Sequence, residues 1–178
     1  FGYRESVFKR ELKDQFIILS VSFKLTKNHQ INSSYGAINT ELEENGIKNP
    51  SIKDISDAVI VIRSSKLPNP KEIGNAGSFF KNPIVTIEAY ESLLQKYPEI
   101  VAFPFGDQMK LSAGWLIDRA GWKGHSQNGA GVYKNHALVL INDGTNSGGD
   151  IWQLAMDIQA DVLTKYGVEV APEVNVWG

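Results

Sequence analysis

The chain has 178 residues, of which 42% are hydrophobic and 21% charged, and a formal net charge of −2. That balance describes an ordinary globular chain of one domain, or one domain with an attached piece. It gives no electrostatic ground for DNA or RNA as a partner, since Lys and Arg form no cluster. Cysteine is absent, which excludes disulfides and thiolate metal sites and fits a reducing cytoplasm. No apolar run approaches the ~20 residues that span a bilayer, so no membrane partner is expected. The first residue is Phe1 and not Met, which leaves a preceding, removed segment open.

Taken in order, Phe1 to Arg10 mixes aromatics and charges without a period. From Gln15 to Leu25, Leu19, Val21, Phe23 and Leu25 alternate with polar residues, and this predicts a half-buried strand. Thr26 to Asn49 is polar and rich in Asn, Ser and Gly, and reads as a long loop with one helical turn at Thr40–Glu44. Ser51 with Asp54 forms a capping box, and Ile52, Ile55, Val59 and Ile62 give the following helix one apolar face. Pro68 and Pro70 stop it, and the Lys66–Pro70 segment is the best domain boundary.

Gly74 to Pro83 reads as a glycine-rich turn that opens into a strand over Ile84–Ile87. Glu88 to Tyr97 predicts a short helix with Ala89, Leu93 and Leu94 inward, and Ile100 to Phe105 a short strand. Ser112 caps a helix whose face is Ala113, Leu116, Ile117 and Ala120, with Gly121 ending it. Gly124 to Gly131 is a loop, and Ala137 to Ile141 a central strand covered on both faces. Gly149 to Tyr166 is the longest helix, with Ile151, Leu154, Ala155, Ile158 and Val162 inward, and Val168 to Val176 alternates as a last strand. The expected fold is α+β (mixed α/β), with flanking helices on a mixed or antiparallel sheet.

The chemistry gathers at Gly74-Asn75-Ala76-Gly77-Ser78-Phe79-Phe80-Lys81-Asn82-Pro83. Two glycines bare the backbone, a hydroxyl follows, and two aromatics stand beside a cation and an amide. Ser78 can be a turn cap, a nucleophile or a proton donor. The nucleophile needs a base and an elbow of the Gly-x-Ser-x-Gly kind, which this stretch lacks. His29, His125 and His136 have no metal-ligand spacing, so no metal is expected.

This stretch resembles the signature of the UDP-N-acetylenolpyruvoylglucosamine reductase family (UDP-N-acetylmuramate dehydrogenases), and it does not stand alone. Phe1-Gly2-Tyr3-Arg4-Glu5-Ser6-Val7-Phe8-Lys9, Lys66-Leu67-Pro68-Asn69-Pro70, Ala113-Gly114-Trp115-Leu116-Ile117-Asp118, Lys123-Gly124 and Pro172-Glu173-Val174 follow in the family's order. The resemblance implies an FAD- and NADPH-dependent oxidoreductase of peptidoglycan biosynthesis, cytoplasmic and monomeric at full length. Its substrate would be UDP-N-acetylglucosamine enolpyruvate, reduced to UDP-N-acetylmuramate. The family's Gly-rich flavin-binding region has no counterpart here. Residues 1–66 would then be the tail of an FAD-binding domain, residues 67–170 the substrate-binding domain, and residues 171–178 a strand returning to the flavin part.

Carried over residue by residue, Ser78 would protonate the enol after hydride arrives, with Glu173 and Arg4 beside the enolpyruvyl group. Tyr35, Lys66, Asn82, Lys123 and Tyr3 would hold substrate, with Tyr35 on a mobile loop that folds over the nucleotide. The residues holding the flavin are left unknown. Two positions depart from the pattern: Phe103 stands where some members have tyrosine, and His136 where some have glutamine. Taken singly, a lysine or a strand-borne glutamate is most often a solvated surface group. A non-catalytic sugar-nucleotide-binding module remains the alternative.

Overall fold

The computed structural model describes residues 2, 5–34 and 36–176, and the chain divides into two units, residues 1–32 and residues 33–178. In the first unit, Val7–Lys9 makes a single 3-10 turn, and Arg10 pairs with Glu5 at 2.8 Å. The half-buried strand expected over Gln15–Leu25 does not form. Phe16, Ile17, Leu19, Val21, Phe23 and Leu25 are all more than half exposed. The apolar alternation is real, but among the described residues of this unit no second strand answers it. A lone strand has no ladder bonds and no covered face to offset its backbone entropy.

The second unit opens with α1 (Ile38–Glu44) and α2 (Ile52–Lys66). Ser51 Oγ accepts from Asp54 N–H, and Asp54 accepts from Ser51 N–H at 2.7 Å, so the capping box forms as its spacing predicts. Ile38, Leu42 and Ala58 are buried between the two helices, with Ile55, Val59 and Ile62 packed on them. Ile52, placed on the same face by periodicity, sits at the first helical position and is 51% exposed. Leu67 is extended, as the residue before Pro68 must be, and α2 stops there.

Next come β1 (Gly74–Ser78), β2 (Ile84–Val85), α3 (Ile87–Lys96), β3 (Ala102–Phe105) and β4 (Gln108–Leu111). They are followed by α4 (Ala113–Arg119), β5 (Ser126–Gln127), β6 (Ala130–Val132), β7 (Val139–Asn142) and α5 (Gly148–Tyr166). Two sheets result, in the orders β1-β7-β6-β5 and β2-β4-β3, and every strand pair is antiparallel. β7 is central and buried, as its unbroken apolar run predicts, with Val139 and Leu140 at 0% and 2% exposure. α5 lies across β6 and β7 and meets α4. Its Leu154, Ala155, Ile158 and Val162 join Leu116, Ile117 and Leu140 in one core. Each such fully buried aliphatic side chain contributes roughly 1.5–3 kcal/mol of transfer free energy.

Four expectations need correction. The glycine-rich stretch is itself a strand: β1 occupies it, and Ile87 begins α3 and does not end a strand. Gly124–Gly131 holds β5 and the start of β6, a two-residue hairpin turned by Asn128 and Gly129, both at positive φ. In α3, Leu93 faces inward with Tyr90, while Ala89 and Leu94 face out. Val168 to Val176 makes only one isolated bridge, Phe80 opposite Pro172, with Val168 and Val170 buried. Proline has no N–H to donate, so an extended ladder is cut short there.

Gly129 gives that hairpin the look of a plain loop in sequence: its residue choice answers to a neighbour far along the chain. At φ +88, a Cβ on Gly129 would lie 2.3 Å from Asp143 Oδ1 and 2.5 Å from Thr145 Oγ1. Gly129→Ala should therefore lower stability by roughly 1–3 kcal/mol, by left-handed strain and displacement of that carboxylate. Chemical denaturation measures it. A variant as stable as the parent would mean that the Asp143 loop yields freely.

Candidate functional site

β1 carries a bulge. Asn75 pairs with Ile141 and Ser78 with Val139, so Ala76 and Gly77 together oppose Leu140. Gly77 supplies the positive φ of +71 that the bulge demands. Beyond Ser78 the chain runs on beside a second segment. Glu173 N–H donates to the Phe79 carbonyl and Lys81 N–H to the Ala171 carbonyl, each at 2.8 Å. These two bonds flank the Phe80–Pro172 bridge. They bring Glu173 into register opposite the residue after Ser78, and both side chains are half-buried. Of the proposed proton-handling residues, Ser78 and Glu173 are thus gathered on neighbouring segments. Ser78 is the last residue of β1.

Lys66 ends α2, and Asn135 Nδ2 donates to the Ser65 carbonyl at 3.0 Å, which ties that helix end to the 133–138 turn. His136 lies in the same turn. Burial first, then the charges of Lys66 and Lys123, hold its pKa below the usual 6.5. Two lysines from distant parts of the chain are therefore close enough to act on one imidazole. Leu138 N–H donates to His136 Nδ1 at 3.3 Å, which leaves the neutral ring's proton on Nε2. Lys123 is also paired with Asp118 at 2.9 Å. That pair is partly exposed and holds the lysine only weakly against a ligand anion, since such pairs are worth about 0–1 kcal/mol.

Asn82 does structural work as well. Its Oδ1 accepts from Ala113 N–H at 3.0 Å, at the first residue of α4, so its NH₂ end is the one that can serve a ligand. Phe103 sits opposite Lys110 in the β3–β4 hairpin and is 50% exposed. Tyr3, Arg4 and Tyr35 lie outside the described residues. Among the described residues, no group of three or more His, Cys, Asp or Glu gathers for a metal ion. No helix there is long and apolar enough to cross a membrane.

An apolar cavity of about 400 Å³ lies between β1, the N-terminal end of α5 and residues 174–176. Gly74, Phe79, Leu140, Ile151 and Trp152 line it, and its polar groups are amides with no cation. A flavin dinucleotide needs donors or cations for its diphosphate beside a slot for its rings. The lining of this cavity offers Asn amides and no cation for that diphosphate.

Sequence reasoning missed His136 as a member of the lysine cluster and Asn75 as part of the bulge. Only the three-dimensional meeting of α2, Lys123 and the 133–138 turn reveals the first. An Asn two residues before a glycine could have suggested the second.

The family model for the C-terminal domain of UDP-N-acetylenolpyruvoylglucosamine reductase matches residues 69–177. Proteins of that name are similar over nearly the whole chain. The one from Flavobacterium johnsoniae is 52% identical over 178 residues, covering 99% of this chain and 53% of its own length. Those from Bdellovibrio bacteriovorus and Pseudomonas putida are 48% and 47% identical, each over 99% of this chain and 52% of their own length. The chain spans about half the length of the curated relatives it matches. A family model that covers most of the chain, with relatives this similar along all of it, leaves one conclusion: the chain belongs to the UDP-N-acetylenolpyruvoylglucosamine reductase family, within which it carries the C-terminal domain.

Proposed function

We propose that this chain is the substrate-binding part of an oxidoreductase that reduces the enolpyruvyl group of UDP-N-acetylglucosamine enolpyruvate to give UDP-N-acetylmuramate, in the cytoplasm, for peptidoglycan. Residues 1–66 would belong to an FAD-binding domain, residues 67–170 would form the substrate domain, and residues 171–178 would return towards the flavin part. NADPH-reduced FAD would supply hydride from outside the described residues. The chain's own contribution is then binding, orientation and proton transfer.

The observation that carries this reading is that Lys66 and Lys123 both act on His136 in the same compact unit, residues 33–178, as the Ser78–Glu173 pairing of segments. Two ammonium groups and a neutral Nε2–H suit a diphosphate, lysine acting there as a point charge. Asn82 would add its NH₂ end, Tyr35 its hydroxyl from the loop, and Tyr3 a contact near the reacting group. Ser78 Oγ–H would give its proton to the carbon beside the substrate carboxylate. A hydroxyl is a weak acid, and only a carbon bearing negative charge can take its proton. Glu173, one segment over, would support the same step, and the Arg4 guanidinium would hold the carboxylate while charge builds on it.

Calorimetry of this chain with UDP, paired with NMR titration of His136, tests the binding part. His136 should titrate below 6.5 in the free chain. Bound diphosphate offsets the two lysine charges, so its pKa should rise on adding UDP. By linkage, UDP should bind more tightly as pH falls below 6.5. The sign for folding is opposite: a depressed histidine pKa contributes stability above 6.5 that is lost as pH falls through the folded value. Lys66→Ala should weaken UDP about tenfold, the worth of one charge-assisted bond. An unmoved His136 pKa at saturating UDP would remove the diphosphate from this cluster.

A further inference from the structure

We propose that Asn75 is a positioning residue for Ser78, its side-chain amide holding the bulge that decides which face of the sheet the hydroxyl meets. The inference rests on the proposed role of Ser78.

Side chains of directly paired residues share a face, and faces alternate along a strand. Ser78 pairs with Val139, and Asn75 with Ile141, two residues further along β7. Asn75 and Ser78 therefore share one face, although three positions separate them. Without the extra residue they would stand on opposite faces, because a slip of one residue flips every side chain beyond it. The neighbours agree with this count. Leu140 and Phe79 point to the other side: Leu140 is in the core that α5 covers, and the Phe79 ring meets Trp152 of α5 at 6.4 Å. Val139 is fully buried yet stands outside that core cluster.

A bulge leaves its extra residue without a ladder partner, and the side chain of Asn75 supplies one. Its Oδ1 accepts from Gly77 N–H at 3.1 Å, and its Nδ2 donates to the Ile73 carbonyl at 3.0 Å. Both ends of the amide are thus spent on the backbone, one before the bulge and one within it, in a half-buried position. Around Gly77 there is open space, so the glycine is required by its φ of +71 and not by crowding. Asn75 turns that permissive backbone into one fixed geometry. In its absence, a regular ladder that carries Ser78 to the α5 side competes, and Phe79 would have to leave the core.

The test follows substrate reduction by the complete enzyme, and separately its oxidation of NADPH without substrate, in Asn75→Leu, Asn75→Asp, Asn75→Ser and Ser78→Ala. Misplacing a reacting group by an ångström costs on the order of a hundredfold, and Asn75→Leu should lower kcat by about that factor. KM and the substrate-free rate should stay within about twofold, because neither needs the proton of Ser78. Asn75→Asp keeps the acceptor for Gly77 N–H and should recover most of kcat, with Asn75→Ser, a weaker turn former, between the two. The graded series makes the test independent of whether Asn75→Leu folds. Full kcat in Asn75→Ser and Asn75→Leu overturns the inference, as does a parallel fall of kcat and the substrate-free rate across the series. If Ser78→Ala itself reduces substrate at the parental rate, the role of Ser78 fails first. A slow Ser78→Ala beside a fully active Asn75→Leu overturns the positioning role alone.

Discussion

Ser78→Ala is expected to slow substrate reduction by about 10²–10⁴-fold, the usual worth of a positioned general acid. The change removes one oxygen from a half-buried strand position, so the fold should survive it. UDP affinity should not move, since Lys66, Lys123 and His136 lie on other segments. The useful control is the oxidation of NADPH in the absence of substrate, which should continue at its parental rate. If both rates fell together, Ser78 would be holding the structure and not giving a proton. If neither fell, the proton would come from another group, with Glu173 the next to test.

Phe80→Ala is expected to have the largest effect on stability. Phe80 is 1% exposed, it belongs to the main core, and it forms the bridge opposite Pro172. Truncating a buried phenylalanine costs roughly 3–5 kcal/mol, from lost transfer free energy and the cavity left behind. Chemical denaturation measures the loss. Because the Phe80–Pro172 pair is flanked by the two bonds that hold residues 171–173, the damage should reach Glu173 as well. Substrate reduction should then fall even at temperatures where the variant is folded. A variant with parental activity but a lowered midpoint would mean that the two backbone bonds alone keep Glu173 in place.

What could be read in the sequence follows a physical line. α2 and α5 were legible because their signals are local: a capping box at Ser51, apolar faces of period 3.6, and a glycine, Gly167, just past the end of α5. The second capping box, at Ser147, starts α5 one residue earlier than its apolar face shows. The central strand β7 was legible because a strand covered on both faces is apolar throughout. β1 was hidden. Gly74-Asn75-Ala76-Gly77-Ser78 has no β-branched residue, and its strand character comes from β7 beside it. The run from Leu19 to Leu25 erred in the other direction, with a fine alternation and no partner strand among the described residues of its unit. Of the site, Ser78, Glu173, Lys66, Asn82 and Lys123 were named by resemblance; the structure pairs the segments that carry Ser78 and Glu173, and sets Lys66 and Lys123 within electrostatic reach of His136. The electrostatic tie of His136 to both lysines, and the grip of Asn75 on the bulge, depend on contacts that no spacing rule encodes.

The bond from Glu173 to Phe79 also has a kinetic meaning. It joins two segments from opposite ends of this domain's sequence, and closing so long a loop costs entropy that local contacts cannot repay early. The two segments should therefore meet only when the domain as a whole condenses, late in refolding. The helical pair α1–α2, whose contacts are local, should be in place well before. A half-folded domain would carry its helices without the pairing of residues 79–81 with 171–173, and that closure would mark the final folding event.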